Sequence, residues 1–423
     1  MKKYLAIILI AVLVCVMSLF ALSKIKHNPS IIEKPSPITN NQTSSFDFKM
    51  IKEVQKTHKE NYMISPLSIA TALKMVSEGA NGNTKTQIDN LLKDYTINNN
   101  LNVKDRISIA NLIFIRDTYK NDIKEEFKNK IKTNYDSEVM YDEFKTPKPV
   151  NDWISKKTYN MINNVIDDLS SDFVLGLANA IAIDVEWENK FECNKTTKEE
   201  FTKDDNTTVD VAMMHSTNDI TYIENNNAKG IIKDYAVYDK ETGKIVDERN
   251  ENTVELEYIA ILPNTNIDDY INKLDNNELN NLLSNKKEAS KNLDINLSLP
   301  KYTYDFDYKD FQDGLINLGI TDAFNSSNAN FSNISDIKIF ISKAIHKSHI
   351  ELSENGTKAA AVTVFIFEKN AMVENKKEVI DIKFNKPFIY IIKEKNSNNI
   401  WFFGTVYEPL KWEENDINNC KID

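Results

Sequence analysis

The chain has 423 residues, of which 41% are hydrophobic and 10% aromatic, so it exceeds one small core but suits a single large mixed fold. Its formal net charge of −11, with both signs mixed along the chain, argues against a surface for nucleic acids or anionic membranes, which needs clustered Lys and Arg. The nine glycines form no GxGxxG or GxxxxGK[ST] pattern, which argues against a phosphate-binding loop.

The N-terminus predicts export. Two lysines precede the mostly apolar run Tyr4 to Leu22, which has the form of a signal peptide and also the length of about 17–25 residues that spans a bilayer. Residues 1–23 are therefore either a cleaved signal peptide or a retained membrane anchor, and lipidation at Cys15 is a third alternative. In each case the rest of the chain is extracellular, secreted or anchored at the outer face of the cell membrane, and only the N-terminal segment is expected to contact the membrane.

Composition also predicts the domain boundaries. Residues 24–45 hold three prolines among Ser, Thr and Asn, which is typical of a linker. Residues 46–412 contain no second linker and no internal repeat, so we expect one large domain, followed by a C-terminal tail over 413–423. One of the three cysteines lies in the leader, so at most one bridge, Cys193–Cys420, is available, and the sequence leaves its formation open.

The predicted elements alternate without the regular rhythm of a doubly wound sheet, which indicates a mixed α+β domain. Helices are predicted at Ile69–Val76, after Ser65-Pro66, and at Val150–Ile166, from apolar residues along one face. The run Leu177–Trp187 predicts a central strand. The acidic segment from Tyr235 to Glu255 predicts an exposed hairpin turning at Glu241-Thr242-Gly243. Five further strands are predicted, at Tyr258–Leu262, Leu293–Leu299, Ile337–Ile345, Phe388–Ile392 and Trp401–Val406.

No motif for catalysis is recognisable. The five histidines form no HExxH motif and no paired cluster, which argues against a metal site, and the sequence predicts no cofactor. No GxSxG elbow is present, and nothing in the sequence places a Ser, a His and an Asp together. His346 and His349 lie three apart in an extended segment, so their side chains should point to opposite faces. We therefore expect a protein that is not an enzyme.

The segment from Glu354 to Phe367 differs from the rest of this polar chain. Small and β-capable residues follow a lone glycine, Gly356, directly after a strand-like run. Such a segment can enter the middle of a sheet as a new strand, so it predicts a moving part rather than a catalytic one.

A series of motifs in chain order resembles the signature of the serpins over about Phe46 to Pro409. These are Asn61 to Ile69, Gly79 to Thr84, Leu177 to Ile181 leading to Trp187, Met213-Met214, Leu299-Pro300-Lys301, Leu318 to Phe324, His346-Lys347, the segment after Glu354, and Phe384 to Phe388. The resemblance implies the serpin fold, an α+β domain with a large central sheet A, sheets B and C, about eight or nine helices and an exposed reactive-centre loop. The segment after Tyr235 is longer than usual for the family.

The resemblance also implies a suicide inhibitor of serine or cysteine endopeptidases. The loop is offered as a substrate, and after cleavage it inserts into sheet A and carries the acyl-linked protease with it. The alternative is a non-inhibitory serpin that acts as an extracellular binding or carrier protein. Such members tend to carry bulky or charged residues at the inward hinge positions, whereas Thr357, Ala359 and Ala361 are small here, which favours inhibition.

The expected partner is a target protease, and the chain is expected to act as a monomer. The mixed charge of the stretch from Lys85 to Arg106 does not predict a heparin-type activator. The sequence leaves the physiological protease open.

The hinge implied by the resemblance consists of Glu354, Gly356, Thr357, Ala359, Ala360 and Ala361. Because side chains alternate along a strand, one face of the inserted loop would carry Thr357, Ala359, Ala361, Thr363, Phe365 and Phe367. No proline interrupts the segment from Gly356 to Asn370, so no hydrogen bond of the new ladder is lost.

The reactive bond is predicted by counting. In serpins the bond usually follows the seventeenth residue from the hinge glutamate, which gives Asn370–Ala371 when Glu354 is the first. The main alternative is Lys369–Asn370, one residue earlier, which would suit a trypsin-like protease. Phe367 and Met372 are the remaining alternatives.

Five more positions acquire a role from the resemblance. Ser65, Ser68, Asn179 and His346 fall on the shutter, where sheet A must part, and Trp187 falls on the breach, where insertion begins. For each of them the alternative is ordinary polar or aromatic packing in the core.

Overall fold

The computed structural model describes residues 44–97, 101–357, 377–395, 397 and 399–413. Eight α-helices lie in this part of the chain: α1 Ser45–Gln55, α2 Pro66–Gly79, α3 Gly82–Leu91, α4 Glu125–Tyr135, α5 Lys148–Lys157, α6 Ile267–Lys273, α7 Asn276–Ser284 and α8 Phe311–Asn317. Together with the strands they form the mixed α+β architecture that the sequence predicted. All described residues belong to one compact unit.

Twenty β-strands accompany the helices. They are β1 Tyr62–Ile64, β2 Ile107–Arg116, β3 Ser137–Asp142, β4 Leu175–Ile183, β5 Val185–Glu186, β6 Thr197–Thr202, β7 Thr208–Thr217, β8 Thr221–Glu224, β9 Ala228–Asp234, β10 Tyr238–Asp239, β11 Thr253–Val254, β12 Leu256–Pro263, β13 Lys286–Glu288, β14 Leu293–Pro300, β15 Tyr302–Asp307, β16 Lys347–Leu352, β17 Gly356–Thr357, β18 Glu378–Lys383, β19 Phe388–Glu394 and β20 Ile400–Val406.

The largest sheet, sheet B, has seven strands in the order β1-β20-β19-β12-β9-β8-β13. Its central strand β12 is buried along its whole length, and β20 is buried as fully. Such strands read as continuous apolar runs because both of their faces are covered, which explains why they are recognisable in the sequence. Sheet C is smaller, with the order β18-β14-β7-β6.

Sheet A is divided into two parts. One part has the order β3-β2-β4, and the other has the order β15-β16-β17-β5. β4 and β5 are successive pieces of one extended run, interrupted only at Asp184, so the two parts join at one end of the sheet. Over the length of β4 they do not meet. Among the described residues β4 pairs only with β2, which leaves its other edge without a strand partner.

The strand predicted at Ile337–Ile345 is wrong. Residues 337–346 carry no strand in the structure. On one side, β15 begins to pair only where Asp307 lies opposite Lys347. On the other side, no described strand pairs with residues 337–346. A strand is stabilised by hydrogen bonds to a neighbouring strand. Because no described strand pairs with this apolar segment, it stays irregular.

The helix predicted at Val150–Ile166 is wrong in its second half, because α5 ends at Lys157. The Thr158 hydroxyl donates to the carbonyl of Ile154 at 2.8 Å, and its amide bonds back to the same carbonyl. Tyr159 and Asn160 then adopt left-handed backbone angles, with φ of 52° and 62°. The left-handed region is disfavoured inside a helix, so the helix stops here although the apolar spacing continues.

The other predicted helix and the other predicted strands are present. The helix at Ile69–Val76 lies within α2, and the strands from Tyr258, Leu293, Phe388 and Trp401 correspond to β12, β14, β19 and β20. None of the helices in the described ranges is both long and apolar enough to cross a membrane.

Candidate functional site

A cleft of about 590 Å³ lies where the two parts of sheet A fail to meet. Residues 175–183 of β4 line one wall, and residues 339–351 line the other. Nine residues of extended chain span about 30 Å, so the cleft has the length of a strand rather than of a compact ligand. Apolar residues of β4 and the exposed Phe340 border it. The cleft is therefore shaped for one additional strand in the middle of the sheet.

The predicted hinge lies at one end of this cleft. Gly356 and Thr357 form β17, which pairs with β5 on one side, while Thr357 also pairs with Leu352 of β16 on the other. Thr357 is 4% exposed and contributes to the cleft lining. Gly356 and Thr357 thus occupy the gap between the two halves of sheet A at one end of the cleft.

Gly356 is required by close packing at this point. Its φ is +150°, and a Cβ atom there would lie 2.1 Å from the carbonyl oxygen of Val185. Any side chain would therefore push the hinge away from β5.

The hinge glutamate, Glu354, is anchored in a buried site. One carboxylate oxygen accepts a hydrogen bond from the Thr196 hydroxyl at 2.8 Å, and the other lies 3.1 Å from Nζ of Lys301. Its backbone carbonyl accepts from the amide of Phe191 at 3.0 Å. These contacts hold Glu354 in place two residues before β17.

Reversing the charge at Glu354 should destabilise the native fold strongly. Glu354→Lys places two ammonium groups together in a mostly buried site, and losing a buried ion pair costs about 3–5 kcal/mol. We expect a lower thermal unfolding midpoint, measured by circular dichroism. Glu354→Gln, which can still accept from Thr196, should lose less. A Glu354→Lys protein with an unchanged midpoint would show that the pair does not hold the hinge.

Trp187, predicted for the breach, lies beside the hinge. Its indole N–H donates to the carbonyl of Ser353 and its amide to the carbonyl of Asn355, both at 3.0 Å. Its ring stacks on Tyr235 with centroids 4.5 Å apart and planes 7° apart. The Tyr235 hydroxyl in turn lies 2.7 Å from the Thr357 hydroxyl. Aromatic stacking and hydrogen bonds thus hold the hinge against the top of sheet A.

A buried ammonium group supports this aromatic pair. Nζ of Lys233 lies 4.6 Å from the ring centroid of Phe191 and 5.7 Å from that of Trp187, and it pairs with Asp219 at 2.5 Å. Burial lowers the pKa of Lys233, although the carboxylate of Asp219 opposes this effect. Cation–π contacts of this kind are stronger where water is excluded, so the cation helps to fix both rings.

Two of the predicted shutter residues connect the floor of the cleft with β4. The Ser68 hydroxyl donates to the side-chain oxygen of Asn179, and the Asn179 amide donates to Asn111 at 2.8 Å. Asn111 in turn donates to the carbonyl of Tyr135 at 2.6 Å. This chain of polar groups runs from helix α2 across β4 and β2.

The other two predicted shutter residues, Ser65 and His346, contact each other at the opposite wall. The amide N–H of Ser65 donates to Nε2 of His346 at 3.2 Å, and the Ser65 hydroxyl caps helix α2 by accepting from the amide of Ser68. His346 is buried beside the ring of Phe311. Because burial disfavours the charged imidazole, the pKa of His346 falls to about 4. Nε2 is therefore unprotonated near neutral pH, as its acceptor role requires.

The free energy of unfolding should decrease as the pH is lowered, because His346 resists protonation in the native fold. The unfolded chain takes up a proton near pH 6.5, while the native chain resists until about pH 4, so unfolding is favoured increasingly across that window. The full loss is on the order of 3 kcal/mol. We expect urea unfolding midpoints to fall between pH 6.5 and 4.5. His346→Gln, which can accept the same hydrogen bond without titrating, should show a flatter profile, and parallel profiles would contradict this assignment.

The remaining predicted site residues lie outside the described residues. They are the hinge alanines Ala359, Ala360 and Ala361 and the reactive-bond candidates Lys369, Asn370 and Ala371. Cys193 is disulfide-bonded, and its partner likewise lies outside the described part of the chain.

The segment from Tyr235 to Glu255 is only partly the exposed hairpin that was predicted. Its turn is as expected, with Gly243 at φ +67° and the Asp239 carboxylate accepting from the amide of Thr242 at 2.9 Å. Its base, however, is buried from Tyr235 to Tyr238 and packs against β5. The acidic composition of the segment concealed these four apolar and aromatic residues.

One Ser–His–Glu arrangement occurs away from the cleft, on sheet C. Nδ1 of His215 lies 3.0 Å from the Ser298 hydroxyl, and its Nε2 lies 2.9 Å from Glu199. Glu199 is also paired with Lys383, which neutralises it. In hydrolases the serine bonds to Nε2 and the acid to Nδ1, the reverse of this order. The three residues form a cross-strand polar row and carry no hydrolytic assignment.

Sequence reasoning did not single out Thr196, Lys301 or Asn111 as site residues. Lys301 belongs to a recognised motif, Leu299-Pro300-Lys301, but that motif does not indicate which residue Lys301 contacts. Asn111 faces Asn179 because β2 and β4 pair in that register, which no local pattern encodes.

The family model and two similar proteins point to the same protein family. The family model described as serpin (serine protease inhibitor) matches residues 41–409. An uncharacterized serpin-like protein of Methanosarcina acetivorans is 29% identical over 408 residues, covering 90% of each chain. Neuroserpin of Homo sapiens is 30% identical over 380 residues, covering 83% of this chain and 86% of its own.

Solved structures agree with the sequence matches. The native state of tengpin, a thermophilic serpin, superposes with a TM-score of 0.70 at 30% identity, covering 86% of this chain and 92% of tengpin. Thyroxine-binding globulin in complex with thyroxine superposes with a TM-score of 0.68 at 24% identity, covering 88% and 98%. At that identity the second likeness concerns the fold alone.

Proposed function

The chain belongs to the serpin family, and we propose that it is an inhibitory member that traps proteases by inserting its cleaved loop into sheet A. Serpins are in general protease inhibitors. The observation that carries it is the open cleft of sheet A with Gly356 and Thr357 already paired at its end. The alternative is a carrier function, which does not require the loop to enter this cleft.

The shape of the cleft supports insertion over small-molecule binding. One wall is the strand β4, whose edge toward the cleft presents backbone groups without a strand partner in the described residues. Backbone groups of this kind are satisfied by adding a strand. The small side chain of Thr357 fits between the walls, and the sequence places further small residues, Ala359 and Ala361, on the same face.

We assign the predicted roles to the site residues on this basis. Ser65, Ser68, Asn179 and His346 are the shutter, since they hold the two walls to helix α2 beneath the cleft. Trp187 is the breach residue beside the hinge. Glu354 anchors the moving segment, which runs through the alanines to the reactive bond at Asn370–Ala371, or at Lys369–Asn370.

The proposed partner is a serine or cysteine endopeptidase, met by a monomer outside the cell. The N-terminal signal or anchor predicted for residues 1–23 supports export, and the Pro-rich linker over 24–45 would separate the inhibitory domain from a membrane surface. We propose no cofactor and no heparin-type activator.

Incubation with a panel of serine and cysteine endopeptidases tests the proposal. We expect at least one protease to form a covalent complex that survives denaturing electrophoresis, with mass spectrometry locating the cut at residue 369 or 370. Cleavage of the loop by every protease, without a complex, would exclude inhibition and leave the carrier function. Fractionating producing cells and sequencing the mature N-terminus separates secretion from anchoring.

A further inference from the structure

The segment from Tyr235 to Glu255 (the insertion) follows β9, and its buried base lies beside β5, the strand that pairs with the hinge. The ladder between β2 and β4 ends at the pair Ile107–Ile183, and beyond it the amide of Asp184 donates to the carbonyl of Arg106. Beyond that point β5 has no neighbour from β2. The insertion supplies one, because the Ala236 amide donates to the carbonyl of Glu186 at 2.9 Å.

The side chain of Tyr238 provides a second hydrogen bond between the insertion and β5. The amide N–H of Glu186 donates to the Tyr238 hydroxyl oxygen at 2.8 Å, so both backbone groups of Glu186 are bound by the insertion. The opposite edge of β5 faces the hinge, where the amide of Trp187 donates to the carbonyl of Asn355. β5 is therefore held between the insertion on one side and the hinge on the other.

The phenol itself is fixed in place. Tyr238 is 1% exposed, and the guanidinium carbon of Arg106 lies 5.5 Å from its ring centroid. Arg106 also pairs with the Glu186 carboxylate at 3.5 Å. Further along, the amide of Lys104 donates to the carbonyl of Lys240 at 3.0 Å, which attaches the insertion to the loop before β2. The insertion thus connects sheet B, that loop and β5.

We infer that Tyr238 is a positioning residue for loop insertion, holding β5 extended beside the hinge so that the receiving strand is in place when the loop is cut. This inference rests on the proposed inhibitory function. Without the phenolic oxygen, the Glu186 amide would be buried and unbonded, and β5 would lose part of the support that keeps it paired with the hinge. Insertion would then start more slowly, and more acyl-enzyme would be hydrolysed before it is trapped.

The variant Tyr238→Phe tests this role, with Tyr407→Phe as the matched control. The Tyr407 hydroxyl is also engaged, at 2.7 Å from Asp268 and 3.1 Å from Gln55, but it contacts neither β5 nor the hinge. The first readout is hydrogen exchange at the Trp187 amide, which reports hinge docking without any protease. We expect exchange about fivefold faster in Tyr238→Phe and unchanged in Tyr407→Phe.

The second readout is the number of inhibitor molecules consumed per protease trapped. We expect this stoichiometry to rise severalfold in Tyr238→Phe, while the rate of initial association with the protease stays unchanged. Unaltered exchange at Trp187, or faster exchange with unaltered stoichiometry, would overturn the inference. If the unmodified protein traps no protease, the inhibitory function fails by itself, and the exchange rates still decide whether Tyr238 positions β5.

Discussion

Thr357→Arg should convert the protein from an inhibitor into a substrate. Thr357 is buried between β5 and β16, with its hydroxyl 2.7 Å from that of Tyr235. Thr357 already occupies this position in the uncut protein, so an arginine would either bury a charged guanidinium there, at a cost of several kcal/mol, or keep the hinge out of the gap in which insertion starts. Since each 1.4 kcal/mol is tenfold in rate, insertion should be slowed by roughly tenfold or more, and hydrolysis of the acyl-enzyme would win. Densitometry of denaturing gels should show cleaved protein in place of the covalent complex.

The neighbouring position provides the matched control. Because side chains alternate along a strand, the sequence predicts that residue 358 faces away from Thr357, so Lys358→Arg keeps a guanidinium in the segment and is expected to leave the cleft free. This control should retain complex formation. Complex formation in Thr357→Arg as well would contradict the face assignment, because both substitutions would then be equally tolerated.

Cutting the loop should make the protein much more stable. A dozen new backbone pairs at about 1 kcal/mol net each would add on the order of 10 kcal/mol, comparable with the whole stability of a typical domain. With an unfolding entropy of about 0.8 kcal/mol per K for a domain of this size, the thermal midpoint should rise by roughly 10–15 °C. The uncut form would then be held by a kinetic barrier rather than by the lowest free energy. Calorimetry before and after nicking by a non-target protease measures the rise.

The same Thr357→Arg variant serves as the comparison for nicking. If stabilisation comes from insertion past Thr357, the nicked variant should gain much less than the nicked unmodified protein. Equal gains in both would mean that cleavage stabilises the fold by another route.

Much of the fold could be predicted from the sequence because its main strands are buried on both faces. β12 and β20 are such strands, and their mostly apolar sequences, LEYIAILP and IWFFGTV, mark them directly. The segment Ile337–Ile345 has a similar pattern yet forms no strand. Its state depends on a neighbour that is missing from the described sheet, and local composition carries no information about that neighbour.

Candidate site residues could be named from the sequence, but the contacts that these residues make could not. The motifs placed Glu354 and Trp187 at the hinge and the breach. Neither motif indicated that Thr196 and Lys301 share the Glu354 carboxylate, or that Tyr238 caps the Glu186 amide. Such pairs depend on how segments distant in the chain are aligned in the fold. Tyr238 also lies in an insertion whose acidic composition suggests only an exposed loop.

The central claim is that the cleft of sheet A receives the cleaved loop as a strand, and hydrogen exchange across β4 tests it most directly. The amides of β4 that face the cleft have no strand partner in the described structure. After cleavage within residues 358–376, we expect those amides of residues 175–183 and 342–351 that face the cleft to become strongly protected. Unchanged exchange along both walls, with the loop demonstrably cut, would contradict insertion.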